Sequence, residues 1–225
     1  MEIILKKDVF TKNNADAGYN RTFASAHGWF LINIMGSPGA GKTSVIEALA
    51  SKLMPEHALG VIEGDIASTI DAERLEKQGI PVTQINTGGA CHLDASSIRA
   101  GMEHLNMKDG GFIFIENVGN LVCPASFDLG EDIKLLISSV PEGYDKPFKY
   151  TSMFACADIT VLHKADLIAA DQFDEQKYMQ GLQAVNADAP FFKTSARNGA
   201  GIQELAQHLS KLASKRLSHG QHKDE

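Results

Sequence analysis

The segment Gly36-Ser37-Pro38-Gly39-Ala40-Gly41-Lys42-Thr43 fits the spacing G-x-x-x-x-G-K-[ST], and no other feature restricts the fold of this chain so tightly. Such a loop works only between a strand and a helix. Its glycines let the backbone curl until successive N–H groups face phosphate oxygens, and the helix that follows directs its positive end at the same anion. That context is present: residues 30–35 (FLINIM) form a short apolar run suited to a buried strand. Val45, Ile46, Leu49 and Leu53 then recur at helical spacing across 43–53, before Pro55. Residues 36–44, Ser44 included, are the expected phosphate cradle. Within it Lys42 brings a point charge to the β and γ phosphates, and Thr43 offers its hydroxyl to Mg²⁺.

The alternation continues along the chain. Strands are expected at 59–62, 82–86, 112–115, 133–140, 159–163 and 191–194, and helices at 72–77, 94–105 with Asp94 as N-cap, 173–185 and 202–212. This pattern predicts an α/β protein, a P-loop NTPase three-layer fold with a mostly parallel sheet flanked by helices. With 225 residues, 44% of them hydrophobic, one core is expected, over residues 28–215. Residues 1–27 read as a polar, peripheral lead-in with a short helix near 3–7, and 216–225 as a frayed tail holding His219, His222 and Asp224.

A net charge of −7 argues against non-specific nucleic-acid binding. No signal-like segment opens the chain and no 18 apolar residues run together, which predicts a cytoplasmic, membrane-free protein. Three cysteines make a disulfide framework a poor reading.

Two acids stand near C-terminal strand ends, where open α/β sheets bind ligands: Asp65 and Glu116. Asp65 suits a metal or switch role beside Thr43, and Glu116 suits a second acidic motif, so the expected catalytic set is Lys42, Asp65 and Glu116. Gly119 can bring its backbone N–H to the γ-phosphate. No arginine stands out as a catalytic finger, and Arg74 and Arg99 read as solvated helix-face charges.

The base-reading elements are His163-Lys164-Ala165-Asp166 and Ser195-Ala196, each behind a strand. Asp166 can accept from the N1–H and N2–H₂ donors of guanine, where adenine presents an acceptor. The stem of Lys164 can lie along the base face, and the Ala196 N–H can serve the guanine O6. The pattern resembles the N-K-x-D and S-A-[KR] elements of GTP-binding proteins, with His163 in place of the usual Asn.

Cys91-His92 lies in a glycine-rich turn, and Cys123 follows Glu116 by seven residues. Two thiolates and an imidazole suit Ni²⁺ or Zn²⁺ and leave a coordination shell incomplete. Spacing alone leaves open buried, inert cysteines beside a surface histidine, and Cys156 reads as packing. Because Cys123 continues from the γ-phosphate segment, hydrolysis can move one thiolate relative to Cys91 and His92.

Taken together, residues 36–44, the run Cys91-His92-Leu93-Asp94-Ala95 and the run Glu116-Asn117-Val118-Gly119-Asn120-Leu121-Val122-Cys123-Pro124 resemble the hydrogenase nickel-insertion GTPases, the HypB family. The resemblance spans roughly residues 30–212. It implies a slow GTPase that binds GTP/GDP and Mg²⁺ and forms a nucleotide- or metal-dependent homodimer. Cys91, His92 and Cys123 of two chains would then meet near the dimer interface. Nickel would pass, with a small partner metallochaperone, towards the immature large subunit of [NiFe]-hydrogenase. Some relatives carry an N-terminal Cys-x-x-Cys or a His-rich stretch; here the first cysteine is Cys91 and the eight histidines are scattered, so nickel storage is not expected. Urease accessory GTPases are kin but use Cys-Pro-His. A P-loop small-molecule kinase would want an Arg-rich lid, and a chaperone of cobalamin enzymes would lack the Cys-His-Leu-Asp-Ala run.

Overall fold

The computed structural model describes residues 6–65 and 68–220. The strands are β1 (Trp29–Gly36), β2 (Leu59–Asp65), β3 (Val82–Asn86), β4 (Gly111–Glu116), β5 (Ile133–Ser139), β6 (Ile159–His163) and β7 (Phe191–Lys193). They form one seven-stranded sheet in the order β3-β2-β4-β1-β5-β6-β7, every neighbouring pair parallel. The helices are α1 (Lys6–Ala26), α2 (Lys42–Leu53), α3 (Ile70–Glu76), α4 (Ala95–His104), α5 (Lys146–Lys149), α6 (Thr151–Ala155), α7 (Glu175–Val185) and α8 (Ile202–Gly220). The expected three-layer α/β architecture is the one observed.

The central strand β1 is buried along its whole length, which is why it reads as an unbroken apolar run. Its residues alternate between faces. Phe30, Ile32 and Ile34 pack with Val45, Ile46 and Leu49 of α2 and with Leu205 and Leu209 of α8. Trp29 and Leu31 join Ile98 and Met102 of α4 on the other face. A third cluster places Met35 with Leu136, Phe154, Tyr178 and Leu182.

The expected lead-in needs correction. Residues 6–26 form a helix of 21 residues that packs on α4, with Ala17 and Ala24 buried. Two of its asparagines, Asn13 and Asn20, act as cross-links. The Asn20 amide donates to the carbonyl oxygens of Ala95 and Leu129, both at 2.8 Å, and Asn13 accepts from the Ala95 N–H at 3.0 Å. A buried Asn that satisfies another segment's backbone is indistinguishable by type from a surface turn residue.

At the other end α8 continues to Gly220, past the expected fraying point. There Arg216 pairs with Asp132 at 2.5 Å and donates to the Trp29 oxygen at 2.8 Å. The expected helix start near 3–5 and the tail residues His222 and Asp224 lie outside the described residues. No described helix is long and apolar enough to cross a membrane.

Candidate functional site

The parallel register brings Gly36, Asp65, Glu116 and His163 to one edge of the sheet, where the strand order reverses direction around β1. The phosphate loop closes there through Gly39 (φ +75°) and Gly41 (φ +99°), both in the left-handed region that glycine adopts without strain. Lys42 is buried, with Nζ 3.4 Å from the Ser37 oxygen, and the Thr43 hydroxyl donates to Oε1 of Glu116 at 2.8 Å. A Cβ on Gly119 would stand 2.7 Å from the Pro38 nitrogen, so the segment after Glu116 rests directly on the phosphate loop. A cavity of about 500 Å³ opens between them, bordered by Lys42, Thr43, Asp65, Asp71, Glu116 and Gly119.

Burial raises the Glu116 carboxyl to about 7 against the pull of Lys42 and Thr43. Its cross-strand neighbour Glu63 is raised to about 8, first by burial and then by the Glu116 charge. The donor set suits a hydrated divalent cation: a hydroxyl at Thr43, carboxylates at Asp65 and Glu116, and buried Oε2 atoms of Glu116 and Glu63 with no hydrogen-bond partner among the described residues.

Beside this cavity lies a second, of about 630 Å³, bordered by Ser44, His163, Lys164, Asp166, Ser195 and Ala196. Lys164 takes a left-handed backbone (φ +56°) and donates to the Gly39 oxygen at 2.7 Å. Asp166 accepts from the Ser195 hydroxyl at 2.6 Å, which holds its carboxyl below the usual range. His163 is buried and its Nδ1 lies 2.9 Å from the Thr194 hydroxyl. Burial and the Lys164 charge lower it to about 4, so a neutral ring stands where the N-K-x-D element usually has Asn. That ring fills the space above Gly41: a Cβ there would meet its Cδ2 at 2.7 Å.

The two sequence-singled arginines are engaged. Arg74 pairs with Glu47 and lies 3.8 Å from Asp71, at the border of both cavities. Arg99 pairs with Glu103 at 3.1 Å and stacks over the Tyr19 ring at 4.0 Å.

Some way along the same edge, Cys91, His92 and Cys123 come together, their ligand atoms all within 4.8 Å. The Sγ atoms of Cys91 and Cys123 are 2.9 Å apart, and Nδ1 of His92 lies 3.5 Å from Cys91 Sγ. This geometry disfavours the reading of unrelated, inert cysteines. Gly88 (φ +60°) and Gly89 (φ +99°) turn the chain into this site, and the His92 ring stacks on Phe127 with centroids 3.9 Å apart. Burial lowers the His92 pKa, which favours the neutral, metal-ligating imidazole. The Cys91 pKa is raised, first by its hydrogen bond to Cys123 and then by burial; a bound metal would have to displace that proton. Cys156 is elsewhere, bonded to the Met153 oxygen at 3.3 Å, as a packing residue.

A family model described as the CobW/HypB/UreG nucleotide-binding domain matches residues 30–193. The chain is 42% identical to the hydrogenase maturation factor HypB of Azotobacter vinelandii, over 95% of this chain and 70% of that protein. It is 43% identical to the HypB of Escherichia coli K12, over 90% and 70%. This chain belongs to the HypB family.

Among solved HypB structures it is similar to that of Helicobacter pylori in complex with nickel, at a TM-score of 0.86 and 36% identity, covering 92% of this chain and 97% of the other. The HypB of Archaeoglobus fulgidus gives 0.84 and 34%, covering 90% and 99%.

Sequence reasoning missed several residues of this HypB site. Glu63 was one, although a lone acid inside an apolar strand is a detectable signal. Two others were Asn117 and Asn120. The Asn117 Oδ1 accepts the N–H of Leu93 at 3.1 Å, and the Asn120 amide donates to the Cys91 oxygen at 3.3 Å. Asn120 also accepts from Val122 at 2.8 Å and forms a backbone bridge with Gly36. These bonds tie the Cys91-His92 turn to the segment that also carries Gly119 and Cys123.

Proposed function

We propose that this chain is a GTP-hydrolysing nickel metallochaperone for [NiFe]-hydrogenase maturation, in which nucleotide state governs metal affinity. The observation that carries this reading is the shared segment 116–123: one end contacts Thr43 and Pro38 at the phosphate site, the other supplies Cys123 and grips Cys91 through Asn120. A change at the γ-phosphate therefore reaches both thiols through covalent and hydrogen-bonded links a few residues long.

Guanine is selected by Asp166, held ionised by Ser195, with Lys164 and Ala196 against the base. The phosphate loop, residues 36–44, and Lys42 hold the β and γ phosphates, and the Gly119 N–H points a donor at the γ-phosphate. Thr43 and Asp65 would hold Mg²⁺, which when bound would supply positive charge to offset that of the phosphates. Water attacks the γ-phosphate in line, and catalysis rests on positioning by Lys42, Asp65 and Glu116. With Arg74 and Arg99 already paired, unassisted turnover of about 10⁻⁴–10⁻² s⁻¹ is expected.

Cys91, His92 and Cys123 take nickel, or zinc, as cargo. Three ligands per chain leave the shell open, which suits completion by a second chain and hand-over to a small nickel metallochaperone and the immature hydrogenase large subunit. The reading places this in the cytoplasm, with the GTPase unit at 28–215 braced by α1. Relatives from two Helicobacter pylori strains, 35% and 36% identical over 92% of this chain, carry the name hydrogenase/urease maturation factor, so a second nickel enzyme as recipient is the alternative.

The test is nickel and zinc titration by calorimetry, with sedimentation, of the apo chain, the GDP form and the form with a non-hydrolysable GTP analogue. Metal affinity or dimerisation that changes with nucleotide supports delivery. Identical metal binding in all three states removes its mechanism.

A further inference from the structure

Glu63 has no part in the site as read from sequence, yet its placement is unusual. It is 3% exposed, within β2, and the parallel register sets it directly across from Glu116. One oxygen of its carboxyl accepts the backbone N–H of Ala72, in the first turn of α3; Oε2 has no hydrogen-bond partner among the described residues. Glu116 repeats the pattern, with Oε1 bonded to Thr43 and Oε2 unpartnered. Both acids border the phosphate cavity, as do Asp71 and Arg74 of α3.

Packing does not account for this pair. A buried carboxyl with an unmet oxygen destabilises a fold, and two facing acids repel once ionised. A glutamine at position 63 would fill the same volume, keep the Ala72 bond and remove the repulsion. The acid makes sense if donors reach its free oxygen when the cavity is filled. Mg²⁺ dehydrates reluctantly and keeps several waters, whose O–H groups point outward at such acceptors.

We propose that Glu63 is a positioning residue for the magnesium ion of the bound nucleotide, accepting with Glu116 hydrogen bonds from the ion's water shell. Through Ala72 it also sets the helix whose Asp71 and Arg74 border the same cavity. This inference rests on the guanine-nucleotide reading and adds an acid to the metal set, beyond Thr43, Asp65 and Glu116.

The experiment uses the full chain with Glu63→Gln and Glu63→Ala. Mn²⁺, as a spectroscopic probe of the magnesium site, is titrated into the GDP complex by electron paramagnetic resonance. Thermal unfolding is measured without metal or nucleotide. Glu63→Gln should weaken Mn²⁺ about tenfold, in the range seen for outer-layer partners of bound metals. The same variant should raise the melting temperature of the empty chain and leave GDP affinity in EDTA unchanged. Mn²⁺ affinity equal to that of the natural chain overturns the proposal. So does a loss confined to Glu63→Ala, which would make Glu63 only a tether for α3. A natural chain that binds no GDP removes the nucleotide reading itself, and the proposal with it; retained GDP binding with unaltered Mn²⁺ affinity removes the proposal alone.

Discussion

The side-chain amide of Asn120 donates to the backbone oxygen of Cys91 at 3.3 Å, while its own backbone N–H is bonded to the Gly36 oxygen at 3.0 Å. One residue thus joins the first residue of the phosphate loop to the first residue of the metal turn. Asn120→Ala should keep both GTP hydrolysis and nickel binding. The ratio of nickel affinities in the GDP and GTP-analogue states should fall towards one, as measured by paired calorimetric titrations. An unchanged ratio would place the coupling elsewhere.

Lys42 lies buried within the phosphate cradle, beside Glu116. Lys42→Ala should lower GTP turnover by about 10²–10³ or more, the order of cost of removing one preorganised donor that stabilises a transition state. A phosphate-release assay under saturating nucleotide checks this, and turnover close to that of the natural chain counts against the assignment.

Asp166 is oriented by Ser195 at 2.6 Å. Asp166→Asn exchanges an acceptor for a donor at the base edge, so GTP binding should weaken by roughly 1–3 kcal/mol while a xanthine nucleotide gains relative to it. Competition binding with both nucleotides reads the switch; equal losses would show that Asp166 does not read the base.

Cys91 is exposed, its Sγ meets His92 and Cys123, and it belongs to none of the hydrophobic core clusters. Cys91→Ala should abolish tight nickel binding and shift stability by no more than about 0.5 kcal/mol. Metal titration beside thermal circular dichroism separates these effects, and nickel bound at unchanged affinity would refute the ligand set.

The carboxyls of Glu63 and Glu116 sit at about 8 and about 7, above their ordinary value of 4.5. Groups raised on folding contribute stability that is complete below the unfolded value and is lost as pH climbs through the folded one. The empty chain should therefore lose stability between about pH 4.5 and 8 from these acids. His163, lowered to about 4 from 6.5, acts in the opposite sense, its contribution being lost as pH falls through that interval. Melting curves across pH should show the decline above neutrality flattened in Glu63→Gln, and a slope unaltered by the substitution would contradict the buried-acid account.

Much of this was legible in the chain itself. The phosphate loop announces its strand and helix because its glycines, lysine and threonine serve a local geometry. Strand β1 is legible because burial on both faces leaves no polar position except Asn33, itself buried and bonded to Glu131 at 3.2 Å. Asp94 was read as an N-cap and accepts the Ser97 N–H at 2.8 Å. The lead-in was misjudged because Asn13-Asn14 and Gly18 interrupt any periodicity along it, and the bonds that Asn13 and Asn20 make are invisible until α4 is known to lie beside them. Glu63 escaped notice for the same reason: its meaning depends on Glu116, 53 positions away, arriving opposite it in the sheet.

What the sequence determined alone is whatever depends on residues within a turn or two of one another: the phosphate cradle, the alternation that demands a parallel sheet, and the types of atom offered to base and metal. The tertiary structure decided which of those atoms meet. Cys91 reaches Cys123 at 2.9 Å, Glu63 faces Glu116, and His163 covers Gly41 only because parallel strands from distant parts of the chain end at one sheet edge. Spacing along a chain fixes local geometry through a few dihedral angles, whereas contacts between strands are set by register and packing, which no single segment contains.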